Sequence, residues 1–358
     1  MIPYSKQFID QKDIKMVVNS LRGKFITQGP KVEEFEKKIC KIVKCKYAVA
    51  VSSCSAGLHI ASIASGLKKG STMLTTPNTF CSTANSALHC GAKVEFSDIN
   101  INTGNICLDN ILKIINKKKI KVIIPVHFGG LPVEVKKLRK ISRKKKILII
   151  EDAAHALGAK YSDGSMVGSC KFSDMAVFSF HPVKSITTGE GGVITTNNKD
   201  LYEKLKNLRS HGIEKNQKKL KNNGNKIWYY EMRDLGFHYR ITDIQCALGI
   251  SQLNKLKKFV SYRRKIANNY DKLFSKIPGI KVLQNMQRNR SSNHLYVIKI
   301  NFKRLGIKRE IVMKKLRKKG IITQVHYIPV TFHPFYKKKS YRKKLQNMTR
   351  YYDECLSI

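Results

Sequence analysis

Short, uninterrupted apolar runs rich in β-branched residues recur along the first two-thirds of the chain. VIIPV at 122–126 and ILIIE at 147–151 are examples. Runs of this kind are typical of strands that are buried on both faces, as in a parallel sheet covered by helices. Segments with helical apolar spacing separate them, and Pro30 suits the first turn of one such helix. The alternation predicts an α/β fold with a mostly parallel sheet between helices.

Seven strands and five helices can be assigned in this region. The predicted strands are 47–51, 72–75, 93–97, 121–126, 147–151, 175–180 and 193–196, and the predicted helices are 30–42, 55–67, 80–90, 109–116 and 133–142. After about residue 242 the pattern changes to one long helix, 243–274. HLYVIKI (294–300), a basic amphipathic stretch (307–319) and IITQVHY (321–327) follow it. We therefore expect a large α/β domain over 1–245 and a small C-terminal α+β domain over 246–358.

The charge of the chain is strongly positive, because 69 Lys and Arg residues against 24 Asp and Glu residues give +45. One interpretation is a polyanionic partner, such as nucleic acid or an acidic membrane surface. The other is a compositional drift that places lysine on a solvated surface. The basic runs are spread along the chain, at 117–121, 143–147, 215–223, 303–310 and 337–344. Since no nucleic-acid-binding signature accompanies them, we expect no specific nucleic acid partner.

The nine cysteines are odd in number and form no CxxC pair. Disulfide frameworks and zinc fingers need paired spacing, so we expect reduced thiols and no metal site. No run of about 18 apolar residues could span a membrane. The opening MIPYSKQFIDQKD lacks the charged-then-apolar layout of a signal peptide. These features predict a cytoplasmic protein without a membrane partner.

Polar residues follow two of the predicted strands, where ligands of parallel α/β sheets bind. EDAAH (151–155) follows ILII, and Asp152 could either cap a helix or pair with a cation. SFHPVK (179–184) follows another strand and precedes a Gly-rich turn. Lys184 could lie in a solvated turn, or it could point into the cleft, where burial would lower its pKa and make it a nucleophilic amine.

Two further segments open helices after predicted strands. In SSCSAG (52–57), small hydroxyl residues could cap the helix or bind a phosphate through backbone N–H groups. In TPNTF (76–80), Phe80 could belong to the core or stack on a planar ligand. The chain has neither GxGxxG nor GxxxxGK[ST], which disfavours a dinucleotide or Walker site. A lysine, an acid, a phosphate-binding helix start and a stacking aromatic together favour pyridoxal phosphate (PLP) chemistry.

The sequence resembles the DegT/StrS-type sugar-nucleotide aminotransferases over essentially its whole length. The shared stretches are TQGPKVEEFE (27–36), TTPNTF (75–80), EDAAHALGA (151–159), SFHPVKSITTGEGG (179–192), LRSHG (208–212), LGFHYRITDIQCALGISQL (235–253) and QVHY (324–327). The resemblance implies the fold of a fold type I PLP-dependent transferase. It also implies a homodimer in which each active site is completed by the neighbouring subunit.

A finer resemblance is to the family members of the pseudaminic acid pathway. The matching stretches are IPYSKQFIDQKD (2–13), KFITQGP (24–30), SSNHLYVI (291–298) and GIITQVHY (320–327). This implies transfer of an amino group from L-glutamate to the C4 ketone of a UDP-linked 2-acetamido-2,6-dideoxy-hexos-4-ulose. The alternatives are another nucleotide-linked keto-sugar, or a catalytically weakened, PLP-binding regulatory protein. Lys184 argues against the family's dehydratases, which have histidine there.

The resemblance also implies roles for individual residues. Lys184 would link covalently to the cofactor, and Asp152 would pair with its ring nitrogen. The other implied cofactor contacts are Cys54, Ser55 and Ser179 at the phosphate, Phe80 and His155 at the ring, and His238 across the dimer. The implied substrate contacts are Tyr4, Lys24, Phe25, Ile26, Thr27, Gln324, Val325, His326 and Tyr327.

The chain departs from the family pattern at three places. His238 stands where the family's GxNYR motif has asparagine, and it can still donate a hydrogen bond. Ser55 stands where threonine is common in the phosphate-binding segment. Family members continue beyond the segment that corresponds to YYDECLSI (351–358), so we expect the small domain to lack its terminal piece.

Overall fold

The computed structural model describes residues 1–221, 226–336 and 344–358. Its central sheet has seven strands: β1 (Tyr47–Val51), β2 (Thr72–Thr75), β3 (Lys93–Phe96), β4 (Val122–Ile124), β5 (Leu148–Asp152), β6 (Met175–Ser179) and β7 (Gly192–Thr196). Their order is β1-β7-β6-β5-β4-β2-β3, and β7 runs antiparallel to both of its neighbours while the other pairs are parallel. The mostly parallel seven-stranded α/β sheet is therefore confirmed.

Helices cover both faces of this sheet. They are α1 (Gln11–Leu21), α2 (Pro30–Val43), α3 (Cys54–Ala64), α4 (Cys81–Leu88), α5 (Leu108–Lys117), α6 (Val135–Lys144), α7 (Lys199–Arg209) and α8 (Asp243–Leu253). Strand β1 shows why both faces need cover: Ala48 and Ala50 lie in one apolar core, and Val49 and Val51 lie in the other. As predicted, Pro30 occupies the start of its helix, where its missing N–H costs no hydrogen bond.

The C-terminal third of the chain contains a smaller, separate sheet and helices of its own. Its elements are α9 (Leu256–Phe274), β10 (Ile280–Val282), β11 (Val297–Ile300), α10 (Arg309–Lys318), a last helix (Gln346–Glu354) and β12 (Cys355–Ser357). β11 lies between β10 and β12 and is antiparallel to both. A two-stranded ribbon, β8 (Ile213–Glu214) with β9 (Glu231–Met232), precedes α8. The division of the chain at 245/246 stays a prediction.

The prediction of one long helix over 243–274 is wrong, because α8 ends at Leu253 and α9 begins at Leu256. Tertiary contacts explain the break. The Lys255 ammonium lies 2.7 Å from an Asp10 carboxylate oxygen and 2.6 Å from one of Asp13, which ties the junction to α1. The interruption follows from contacts with distant residues, since the local sequence contains no Gly or Pro there.

The basic runs 215–223 and 337–344 lie partly outside the described residues. All nine cysteines are free. None of the helices in the described ranges combines the length and the hydropathy that a bilayer span requires.

Candidate active site

The ends of several strands bring the predicted cofactor residues to one edge of the central sheet. Asp152 ends β5 and Ser179 ends β6, while α3 begins three residues after β1. Across the sheet, Gly192 pairs with both Val51 and Ser179, so the phosphate-binding candidates are neighbours.

Gly192 on β7 packs directly against the start of α3. A Cβ atom built on Gly192 would lie 2.7 Å from the Cys54 backbone nitrogen and 2.8 Å from the Ser53 carbonyl carbon, too close for any other residue. Ser53 caps the helix by accepting from the Ala56 N–H at 3.1 Å. The first-turn N–H groups of Cys54 and Ser55 have no acceptor within an α-helix. Gly192 adds no side chain over this helix start, and Ser55 in its first turn is exposed, so the helix start can bind an anion such as a phosphate.

Asp152 is a buried carboxylate, 4% exposed, and it caps no helix. Its Oδ2 accepts from the Thr83 hydroxyl at 2.6 Å, and its Oδ1 accepts from the Ala154 N–H at 3.1 Å. Burial raises the pKa of the Asp152 carboxyl, and the Thr83 hydrogen bond opposes that rise. Thr83 has one proton, which it gives to Asp152, so Thr79 must be the donor in the 2.6 Å contact between the two threonines.

Lys184 lies in the loop after β6 and is partly buried. Burial lowers the pKa of its amine to about 8. At pH 7 about a tenth of such amines are neutral, against about one in 3,000 at the ordinary lysine pKa. Burial and the Asp152 carboxylate raise the pKa of the Cys54 thiol, and the Lys184 ammonium lowers it. Both charges therefore lie close to Cys54, and α3, β5 and the lysine loop meet at one place. The alternative of a solvated turn lysine is thereby disfavoured.

His155 is buried beside this group and is held by hydrogen bonds at both ring nitrogens. Its Nδ1 accepts from the Gly129 N–H at 3.3 Å, and its Nε2 lies 3.0 Å from the Tyr327 hydroxyl oxygen. Burial, together with the Lys184 charge, holds the pKa of His155 well below its usual range. The neutral ring therefore carries its proton on Nε2 and donates it to Tyr327.

One of the two predicted substrate regions lies next to His155. Tyr4 packs against His326 with ring centroids 5.5 Å apart, and Gln324 is bonded through its backbone to Ser357. Gln324–Tyr327 also line a cleft of about 800 Å³ with Phe80, a residue that is 60% exposed. Phe80 is thus an open aromatic surface, available for stacking, and not a core residue.

The other predicted substrate region, Lys24 to Thr27, is exposed and joined to the start of α8. Thr27 pairs with Thr242, and the Ile26 carbonyl accepts from the Asp243 N–H at 3.0 Å. His238 is also exposed, and its ring lies 5.4 Å from that of His211. Within the described residues, none of these contacts reaches Lys184 or Asp152.

Sequence reasoning missed three polar residues in this region: Thr83, Arg263 and His294. Thr83 lies three residues, about one helical turn, after Phe80. This spacing places its side chain on the same face of α4 as Phe80, which is the signal in the sequence that points to it. His294 lies inside the stretch SSNHLYVI, but the resemblance implies no role for it. Arg263 is on α9, 79 residues after Lys184, where no local pattern connects the two.

An amine with a lowered pKa, a buried carboxylate and an open helix start at one sheet edge define a site suited to a phosphorylated carbonyl cofactor. Residues 7–358 match the DegT/DnrJ/EryC1/StrS aminotransferase family, and the chain belongs to it. The protein is an aminotransferase.

Three relatives describe the similarity further. The UDP-4-amino-4,6-dideoxy-N-acetyl-beta-L-altrosamine transaminase of Campylobacter jejuni (strain 81-176) is 42% identical, with 100% of this chain and 92% of the relative covered. Helicobacter pylori PseC, an aminotransferase involved in pseudaminic acid biosynthesis, superposes with a TM-score of 0.88 at 32% identity, with 99% and 92% covered. A putative sugar aminotransferase from Streptococcus pneumoniae, solved in a PLP form, superposes with a TM-score of 0.89 at 27% identity, with 100% and 93% covered.

Proposed function

We propose that this aminotransferase binds PLP at the edge formed by β5, β6 and α3. It would transfer the amino group of L-glutamate to the C4 ketone of a UDP-linked 2-acetamido-2,6-dideoxy-hexos-4-ulose. The observation that carries the proposal is the convergence of Lys184, Asp152 and the start of α3. The 42% identity to a transaminase named for the 4-amino-4,6-dideoxy-N-acetyl-β-L-altrosamine product supports the choice of sugar.

The residues at the site fit this cofactor. Gly192 places no side chain against the start of α3, where the phosphate would bind. Asp152 is buried, and a buried carboxylate is costly without a positive partner. The protonated ring nitrogen of PLP would be such a partner. When bound, PLP supplies an electrophilic carbon and an electron sink for the reaction.

The chain's own residues then have distinct tasks. The Lys184 amine, with its pKa lowered to about 8, would bond to the cofactor from its neutral form, and when freed it would carry a proton to and from the reacting carbon. Asp152 would keep the ring nitrogen of the cofactor protonated, and the hydrogen bond from Thr83 stabilises the charge of the Asp152 carboxylate. Gln324–Tyr327 bind the nucleotide-sugar in the adjoining cleft, and Tyr4 packs against His326 of that segment.

We infer that a second copy of the chain completes the site. The segment 24–27, with Phe25 57% and Ile26 52% exposed, and His238 are all exposed, and their contacts among the described residues do not include Lys184 of their own chain. Mixing inactive Lys184→Ala and Thr27→Trp proteins should restore up to about a quarter of the wild-type activity, since half of the dimers at random assortment are mixed and each has one intact site. Failure of mixtures that demonstrably exchange subunits to recover activity would contradict a shared site.

The substrate proposal is tested with ¹⁵N-labelled L-glutamate and the UDP-keto-sugar. We expect a UDP-amino-sugar that carries the label at C4, seen by mass spectrometry and NMR, and none with Lys184→Ala. Lys265→Ala, which changes an exposed lysine on α9, is the matched control. Label transfer to a different nucleotide-linked keto-sugar, but not to this one, would leave the aminotransferase and overturn the substrate.

A further inference from the structure

The guanidinium of Arg263 bridges the lysine loop and the C-terminal part of the chain. Its Nη2 donates to the Lys184 backbone carbonyl at 3.1 Å, and its Nη1 lies 3.2 Å from His294 Nδ1. Arginine has only donors, so His294 Nδ1 is the acceptor. A neutral His294 therefore carries its proton on Nε2.

His294 in turn packs against His155, with ring centroids 4.4 Å apart. The segment that carries His294 also holds the His155 backbone, because Ser292 Oγ donates to the His155 carbonyl at 2.5 Å. The backbone N–H of His294 donates to the Gly129 carbonyl at 2.9 Å, and the backbone N–H of Gly129 donates to the His155 ring. The ring and the backbone of His155 are thus both fixed by residues 292–294.

These contacts form one path from the lysine to the substrate cleft. It runs from the Lys184 carbonyl through Arg263 and His294 to His155, and ends at the Tyr327 hydroxyl. Since His155 Nε2–H donates to Tyr327, the Tyr327 hydroxyl proton stays available for another acceptor.

We propose that Arg263 and His294 are positioning residues of this aminotransferase, which together fix Lys184 relative to the His155–Tyr327 pair. The proposal rests on the proposed function, because it assigns Lys184 and Tyr327 their places in that site. Neither Arg263 nor His294 needs to touch the substrate for this role.

Electrostatics supports the same arrangement. Burial holds the pKa of His294 well below its usual range, with His155, Lys184, Arg263 and His326 adding to the effect. Burial and the Lys184 charge do the same for His155. Both rings are therefore neutral at the pH at which the Lys184 amine titrates, and their tautomers are set by Arg263 and Gly129.

The kinetic test uses Arg263→Gln and Arg263→Lys. A displacement of the Lys184 backbone by about 1 Å should lower kcat by about 100-fold in Arg263→Gln. The KM values for L-glutamate and for the keto-sugar should change less than threefold, because the residue binds neither. Arg263→Lys should recover part of the rate. The control is Arg264→Gln, on the same helix, whose guanidinium donates instead to the Asn289 carbonyl. A large rise in one KM at unchanged kcat would make Arg263 a substrate-binding residue and overturn the proposal.

His294 offers a conservative rescue. His294→Asn keeps an acceptor near the Nδ1 position, whereas His294→Leu removes it and leaves Arg263 without that partner. We expect the asparagine variant to keep a kcat within about tenfold of wild type and the leucine variant to lose about 100-fold. Equal losses in both variants, with both proteins folded by circular dichroism, would contradict the role of the acceptor.

A readout independent of activity uses the cofactor-free protein labelled with [¹⁵N]histidine. We expect His155 and His294 to show protonated Nε2 and unprotonated Nδ1 in wild type, and His294 to lose this fixed tautomer in Arg263→Gln. An unchanged His294 spectrum in that variant would overturn the proposal. Wild-type protein that shows the tautomers but no glutamate-dependent reaction would refute the proposed function alone.

Discussion

Thr83→Val is the substitution that most directly probes how the buried Asp152 carboxylate is kept charged. The Thr83 hydroxyl donates to Asp152 Oδ2 at 2.6 Å, inside the protein and away from solvent. Valine keeps the shape of threonine but has no donor. A hydrogen bond to a charged group is worth about 1.5–3 kcal/mol, and 1.36 kcal/mol corresponds to one pKa unit. Loss of this donor should therefore raise the pKa of Asp152 by about 1–2 units.

The sign of the kinetic effect follows from the charge that Asp152 must carry. A carboxyl with a raised pKa loses its charge at a higher pH, so activity should be lost earlier as the pH falls. The acid limb of kcat/KM for L-glutamate should move upward by about 1–2 pH units in Thr83→Val, with recovery at alkaline pH. Thr83→Ser, which keeps the hydroxyl, should resemble wild type. A Thr83→Val profile that coincides with wild type across the acid limb would refute this reasoning.

Two further predictions concern cofactor binding and stability. In Gly192→Ala, the new Cβ would lie 2.7 Å from the Cys54 nitrogen and would displace the start of α3. We therefore expect the affinity for PLP, measured by equilibrium titration, to fall at least about tenfold, equivalent to about 1.4 kcal/mol. Unchanged affinity would mean that the α3 start does not bind the phosphate. Arg209 Nη1 lies 2.7 Å from Glu36 Oε1, and burial raises the pKa of the Glu36 carboxyl. Because Arg209→Met leaves this buried carboxylate without its partner, the free energy of unfolding in urea should fall by about 3–5 kcal/mol. The exposed Arg350–Glu354 pair is the control, and Arg350→Met should cost less than about 1 kcal/mol; similar losses in both variants would contradict the burial argument.

The sequence predicts the sheet well because its strands are buried on both faces. VIIPV and ILIIE are short and rich in β-branched residues, which favours buried strands over helices, and the corresponding β4 and β5 lie in the interior of the sheet. Lys184 and Asp152 could be found because they follow such strands, where ligand sites of α/β sheets occur. Their roles as cofactor contacts stay predictions.

Contacts between distant segments were beyond the same reasoning. The break between Leu253 and Leu256 depends on Lys255 pairing with Asp10 and Asp13, about 240 residues earlier. Arg263 reaches Lys184 across 79 residues, and His294 reaches His155 only when the smaller sheet packs near the larger one. Local periodicity carries no information about such pairs.

If Lys184 binds PLP covalently, L-glutamate should convert the bound cofactor to its amine form. The most direct measurement is the visible absorption spectrum of the purified, PLP-loaded protein before and after L-glutamate is added, with Lys184→Ala in parallel. We expect a band of lysine-bound cofactor that shifts to the amine form of the cofactor with glutamate, and no such lysine-bound band in the variant. A wild-type protein that shows no band after incubation with PLP, or an unchanged band in Lys184→Ala, would contradict the account.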